Sequence, residues 1–240
     1  MISLVIHGGA WNIPDSLLDA HRSGCAEALG KGWNILSSGG TAIDAVEQAI
    51  RAMEADGTFD AGRGAHLNAD GHVELDASIM EGHSYRCGAV AAVRKVMHPI
   101  TLARKIMEES EHILLVGQGA ERFAASAGMT LCKESDLGTE RERALWKTVN
   151  ARSGFRSKSA FSKHPGDTVG AVAIDRSGNI CVGTSTGGTL DKHPGRVGDS
   201  PLIGCGSYAE NGIGGVSTTG WGEGMIKIVL AKTIIDHMDA

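Results

Sequence analysis

Apolar and polar positions along the chain follow two periods, and the change from one to the other divides it. Residues 2–6 are a short apolar run that predicts a strand, and His7-Gly8-Gly9-Ala10 leads out of it into a loop. Over residues 15–36, Leu17, Leu18, Ala28, Leu29, Trp33 and Leu36 fall on one face at helical spacing. Gly39-Gly40 closes that helix, and Thr41 is placed to cap the next, over residues 42–53. A loop rich in small residues covers 56–64, and Asn68-Ala69-Asp70-Gly71 makes a turn before an alternating strand at 73–77. Strands are predicted at 87–93 and 113–116, and helices at 101–109 and 120–127.

The pattern weakens from residue 133, where charge and Ser, Arg and Lys content rise. Residues 133–167 read as a mobile linker, with one helix over 140–149 inside it. Beyond it the chain is rich in strands. Residues 169–175 and 179–185 flank the turn Arg176-Ser177-Gly178, residues 199–208 and 214–219 flank Glu210-Asn211-Gly212, and a closing helix is expected over 224–240. No internal repeat is visible. Helices bracketing hairpins suit two sheets between helix layers better than a parallel Rossmann sheet.

Composition narrows the function classes. At 240 residues, 42% hydrophobic and 21% charged, the chain has the balance of an ordinary globular domain able to bury a core. The 34 glycines, with 5 prolines and no G-x-y period, imply tight turns and close backbone approaches. A net charge of −5 without a basic cluster argues against nucleic acid, and no apolar run reaches membrane-spanning length. The start MISLVIHGGA lacks a basic region and a long apolar region, so it reads as a strand and not a signal peptide. Five cysteines without CxxC spacing argue against a disulfide framework or zinc site, and imply reduced thiols in a cytoplasmic protein.

The chemistry centres on Thr168. If the first hairpin pairs symmetrically about Ser177, Thr168 in Gly166-Asp167-Thr168 lies opposite Thr186 in Thr184-Ser185-Thr186-Gly187-Gly188. Directly opposed residues bring their Cβ atoms to roughly 4.5–5.5 Å, so two hydroxyls meet beside glycines. The plain alternative is a Thr–Thr pair on a solvated face. An internal threonine is a weak nucleophile, but as a first residue it gains its own α-amino group as base, with a reference pKa of about 7.7–8.0. A cut before Thr168, between linker and strand, would disturb little packing.

At these residues the sequence resembles the plant-type asparaginase and isoaspartyl peptidase family of the N-terminal-nucleophile hydrolases. The matching segments include His7-Gly8-Gly9-Ala10, Asp60-Ala61-Gly62-Arg63-Gly64, Glu74-Leu75-Asp76-Ala77-Ser78, Gly166-Asp167-Thr168-Val169-Gly170, Thr184-Ser185-Thr186-Gly187-Gly188, Pro194-Gly195-Arg196-Val197-Gly198-Asp199-Ser200-Pro201 and Ser217-Thr218-Thr219-Gly220. They span almost the whole chain. The resemblance implies an α+β fold, a four-layer αββα sandwich in one domain over residues 1–240. Residues 1–167 would be the α part and 168–240 the β part after cleavage between Asp167 and Thr168.

It also implies roles. Thr168 would be the nucleophile and Thr186 would tune its new amino group. Thr219 and Gly220 would form the oxyanion hole. Arg196 would clamp the substrate α-carboxylate, for which a planar fork is suited, and Asp199 would pair with the α-ammonium, with Gly222 beside them. On charge pattern alone Arg196 and Asp199 would be a surface ion pair. Backbone carbonyls of Met53, Glu54, Asp56, Phe59, Ala61 and Arg63 would hold a structural sodium ion, the alternative being an ordinary loop; no other cofactor is expected. His7 is read as a buried structural histidine. The expected reaction is hydrolysis of β-aspartyl dipeptides and L-asparagine to L-aspartate by a homodimer of processed units. A glycosylasparaginase, or an unprocessed relative that only binds small ligands or a partner, are the alternatives.

Three positions depart from the family pattern. Asp60 stands where Asn is common, and Trp221 follows the oxyanion glycine where smaller or more polar residues are usual. The sequence also ends at Ala240, ahead of a further helix and strands expected in the family.

Overall fold

A computed structural model describes residues 1–151 and 168–240. In chain order its elements are β1 (Ser3–His7), α1 (Asp15–Ser37), α2 (Ala42–Asp56), β2 (Leu75–Glu81), β3 (Cys87–Val93), α3 (Pro99–Glu109), β4 (Leu114–Val116), α4 (Gly117–Ser126), α5 (Glu134–Leu137), α6 (Glu140–Asn150), β5 (Val169–Ile174), β6 (Ile180–Thr186), β7 (Ser207–Glu210), β8 (Gly214–Ser217), α7 (Gly222–Lys227) and α8 (Leu230–Met238).

Six strands form one sheet in the order β1-β5-β6-β2-β3-β4, and β7 and β8 form a second. Among the described strands of the large sheet, β3 and β4 pair in parallel and the other neighbours antiparallel. Helices α2 and α3 lie on one face of the large sheet, and α1 packs on α2 and β1. The β7–β8 hairpin lies against β2, β5 and β6, and α8 covers the hairpin. The layers are therefore helix, sheet, sheet, helix, as the resemblance implies.

The main core lies between the large sheet and its helices, where Val46, Ile50, Ile79, Val90, Ile100 and Ile106 are fully buried. Thr41 caps α2 by accepting the Asp44 N–H. Close packing of α2 and α3 depends on Gly183 of β6, where a methyl group would sit 2.8 Å from Ile50 Cδ1 and 3.0 Å from Ile100 Cδ1. A smaller cluster of Met80, Ile180, Val182 and Ala209 fills the space between the sheets.

Four expectations need correction. The strand foreseen at 73–77 runs from Leu75 to Glu81, because its second half pairs with both β3 and β6. Residues 199–206 are not strand. They fold into successive turns, with Leu202 N–H donating to Asp199 O at 2.8 Å, Cys205 N–H to Leu202 O at 2.8 Å, and Gly204 at φ +88°. The closing helix is two helices, broken where Val229 takes φ 49°. The break lets the Ala231 and Lys232 N–H groups at the start of α8 donate to Cys205 O (3.3 Å) and Gly204 O (2.9 Å). Finally, the segment read as linker from residue 133 is ordered up to Asn150: the helix expected at 140–149 is present as α6, and α5 before it was not foreseen. Glu142 of α6 is buried and paired with His66 at 2.5 Å, which ties this helix to the body. The remainder of the expected linker, with Asp167, lies outside the described residues.

Candidate active site

The site is built on the β5–β6 hairpin. Val169 pairs with Ser185 and Ile174 with Ile180, so the pairing is symmetric about Ser177 as expected. Thr168 comes immediately before β5, a strand held in antiparallel ladders by β1 on one side and β6 on the other. Its hydroxyl donates to Thr186 Oγ1 at 3.1 Å. Thr186, only 3% exposed, also accepts the Gly188 N–H at 2.9 Å. This is not a pair on a solvated face.

The end of β6 is tightly secured. Asp60 accepts the Gly187 N–H through its backbone carbonyl at 2.9 Å and the His66 N–H through Oδ1 at 2.7 Å. Glu54, fully buried at the end of α2, accepts the Ser185 hydroxyl at 2.7 Å, the Ile100 N–H at 3.0 Å and His98 Nδ1 at 3.1 Å. Burial raises the Glu54 carboxyl above the usual range, against the pull of His98 and the other donors. On the opposite side, His7 Nε2 meets Ser217 Oγ at 2.8 Å, and Ser217 Oγ meets Thr184 Oγ1 at 2.8 Å. Burial lowers the His7 imidazole to about 4, a backbone hydrogen bond with Thr168 acting the other way. The imidazole is thus neutral at physiological pH, in keeping with a structural role.

Around the hydroxyl pair, Thr168, Thr186, Gly188, Arg196, Asp199, Gly220 and Gly222 line one pocket. Sequence positions spread over 55 residues are thereby brought together, with β5, β6 and the turns at 188–200 on one side and the β8–α7 connection on the other. Thr219, next to Gly220, holds a buried hydroxyl with no hydrogen-bond partner among the described residues. Gly220 has φ +145°, a backbone state closed to most side chains.

Asp199 is 5% exposed and accepts the Thr218 hydroxyl at 2.8 Å. Burial pushes its carboxyl up, while Thr218 and the charge of Arg196 pull it down. The Arg196 guanidinium lies among three glycines: a methyl group would sit 3.0 Å from Nη1 at Gly198, 3.3 Å from Nη1 at Gly188, and 2.9 Å from Nη2 at Gly222. The last of these would also sit 2.9 Å from Asp199 Oδ1. A cation and an anion are therefore presented side by side over Gly222, matching a zwitterionic amino-acid head.

Several site residues were not foreseen. Glu223 accepts from Arg196 Nε at 2.9 Å. Beneath the pocket, Asp76 is fully buried opposite Thr186, accepts the Ala92 N–H at 2.8 Å, and feels the charges of Lys192 and Arg196. Lys192, 1% exposed, donates to Glu74 O at 2.9 Å. A carboxylate three residues beyond Gly220 was the only available signal for Glu223, and nothing local distinguishes Lys192 from a surface lysine.

The expected sodium loop has a suitable shape. Met53, Glu54 and Asp56 occupy the last turn of α2, where carbonyls lack helical partners and the helix dipole favours a cation. The chain then curls back, so that Glu54 O accepts the Arg63 N–H at 2.7 Å and the carbonyls of Gly57 and Phe59 both face Gly64. Oxygen donors of this kind suit a hard cation.

A four-layer sandwich with a threonine at the head of a hairpin strand, in one pocket with an arginine and an aspartate, has the form of an N-terminal-nucleophile hydrolase. The family described as asparaginase matches residues 1–240. A protein of Rattus norvegicus named isoaspartyl peptidase/L-asparaginase is 46% identical over 237 residues, covering 98% of this chain and 71% of the relative. Proteins of the same name from Bos taurus and Danio rerio are 46% and 43% identical, each with 98% of this chain and 76% of the relative covered. The chain belongs to the asparaginase family. Among the described residues, no helix is long and apolar enough to cross a membrane.

Proposed function

We propose that this protein is a threonine amidohydrolase that cleaves itself before Thr168 and then hydrolyses β-aspartyl dipeptides and, more weakly, L-asparagine, releasing L-aspartate. The observation that carries the reading is the hydroxyl pair of Thr168 and Thr186 inside the pocket that also holds Arg196 and Asp199. The family and the names of the relatives agree with it.

Arg196 binds the substrate α-carboxylate and Asp199 its α-ammonium, which directs the side-chain carbonyl to Thr168. The free α-amine of Thr168 takes the hydroxyl proton as Oγ1 attacks that carbonyl. Thr186 orients the amine. The Thr219 hydroxyl and the Gly220 N–H hold the oxyanion, a role that gives the unpartnered Thr219 hydroxyl an acceptor. Collapse expels ammonia or a peptide amine, which takes up the proton. Water then attacks the aspartyl ester, freeing aspartate and restoring the threonine.

A sodium ion held by the carbonyls of the 53–63 loop would stiffen that loop, and with it Asp60 and the end of β6. The processed protein works as a homodimer of α/β units in the cytoplasm; five cysteines outside any disulfide suit a reducing compartment. Aspartate release from β-aspartyl-leucine and from L-asparagine tests the assignment. The dipeptide should give the higher kcat/KM, and release from neither would refute it.

A further inference from the structure

Arg196 has five donors, and its Nε is already engaged. Glu223 Oε1 accepts it at 2.9 Å, from the first turn of α7. The two terminal nitrogens lie instead among Gly188, Gly198 and Gly222, the glycines of the pocket wall. The fork is thus divided, with one edge fixed to a carboxylate and the other directed toward the substrate site. Glu223 is itself held unusually. Its Oε2 is buried with no hydrogen-bond partner among the described residues, although the side chain is 41% exposed overall. A carboxylate retained with one oxygen buried and unpaired is costly, so a surface ion pair formed only in passing is a poor description of it.

We propose that Glu223 is the positioning residue of the carboxylate clamp: it fixes the Nε edge of Arg196 so that Nη1 and Nη2 are presented in advance to the substrate α-carboxylate. This deepens the hydrolase reading above and rests on it. A long arginine side chain loses much rotamer freedom on binding, and an anchor supplies that ordering before the substrate arrives. The geometry also admits the opposite role, in which Glu223 competes with the substrate for Arg196. The two roles predict opposite changes in affinity.

The test compares wild type, Glu223→Ala and Glu223→Gln, with processing and melting temperature recorded for each. If Glu223 is an anchor, Glu223→Ala raises KM for β-aspartyl-leucine about tenfold, the effect of losing one charge-assisted hydrogen bond, and changes kcat much less. Glu223→Gln keeps an acceptor for Nε and restores most of the affinity. Inhibition by L-aspartate weakens in Glu223→Ala, while inhibition by β-alanine, which lacks the α-carboxylate, does not change. A fall in KM in either variant, or unchanged KM in Glu223→Ala, overturns the proposal. If Glu223→Ala does not fold, the glutamine variant still separates the roles, since a competitor predicts tighter binding there. Wild-type protein that releases no aspartate overturns the hydrolase reading. In that case L-aspartate affinity by calorimetry tests the anchor in the same variants, and equal affinity across them sinks it.

Discussion

Thr168 and Thr186 face each other across the β5–β6 hairpin with their hydroxyl oxygens 3.1 Å apart, and the Thr186 oxygen also accepts the Gly188 N–H. Thr186→Val keeps the shape and removes this acceptor. Turnover should fall about 10²-fold, a typical contribution for a group assisting proton transfer. A variant with wild-type kcat would remove Thr186 from the mechanism.

Thr219 separates catalysis from stability. Its hydroxyl is buried without a partner, so Thr219→Val takes away a polar group that contributes nothing to the resting fold. The melting temperature should hold or rise, while kcat drops about 10²–10³-fold through loss of an oxyanion donor. Parallel kinetics and thermal melts check this, and a clear loss of stability at unchanged kcat would contradict it.

Gly187 is the point where Asp60 meets β6. A methyl group there would overlap Asp60 Oδ1 and lie 2.6 Å from Ala65 Cβ, both in a buried wall. Gly187→Ala should cost about 1–3 kcal/mol by denaturant unfolding, as overpacking does, and slow self-cleavage by moving Thr186.

His7 gives a pH signature. Its folded pKa of about 4 lies below the ordinary imidazole value of 6.5, so the unfolded chain binds the extra proton between these values. Its contribution to stability is complete above about pH 6.5 and is lost as pH falls toward 4, by about 3 kcal/mol in linkage terms. Melting curves from pH 7 to 4 should show this decline, and His7→Gln should flatten it. A slope unchanged in that variant would assign the decline to other groups.

What the sequence revealed was local or carried by a motif. The symmetry of the hairpin about Ser177 depends on one turn and two short strands, so it places Thr168 opposite Thr186 without help from any tertiary contact. The cap at Thr41 was legible for the same reason. What escaped depended on contacts between distant segments. Val229 carries no helix-breaking signature, yet the chain bends there because the start of α8 donates to the carbonyls of Gly204 and Cys205. The apolar positions near Leu202 and Ile203 looked strand-like, but the glycines around them allow a series of turns. Residues 133–139, and the docking of the helix that follows them, were not legible because their anchors are acids, the buried Glu142 with His66 and the half-buried Glu134 with His72 and Arg94, whose partners lie far back in the sequence. The pairing of Glu223 with Arg196 is of the same kind.

The central claim is that Thr168 becomes a first residue and then acts as the nucleophile. Intact-mass spectrometry of the purified protein during incubation, read alongside aspartate release from β-aspartyl-leucine, tests it most directly. The account predicts two fragments, the second beginning at Thr168, with activity growing as they form and neither appearing in Thr168→Ala. A Thr168→Ala protein that still releases aspartate, or a wild-type chain that turns over substrate while uncut, would contradict it.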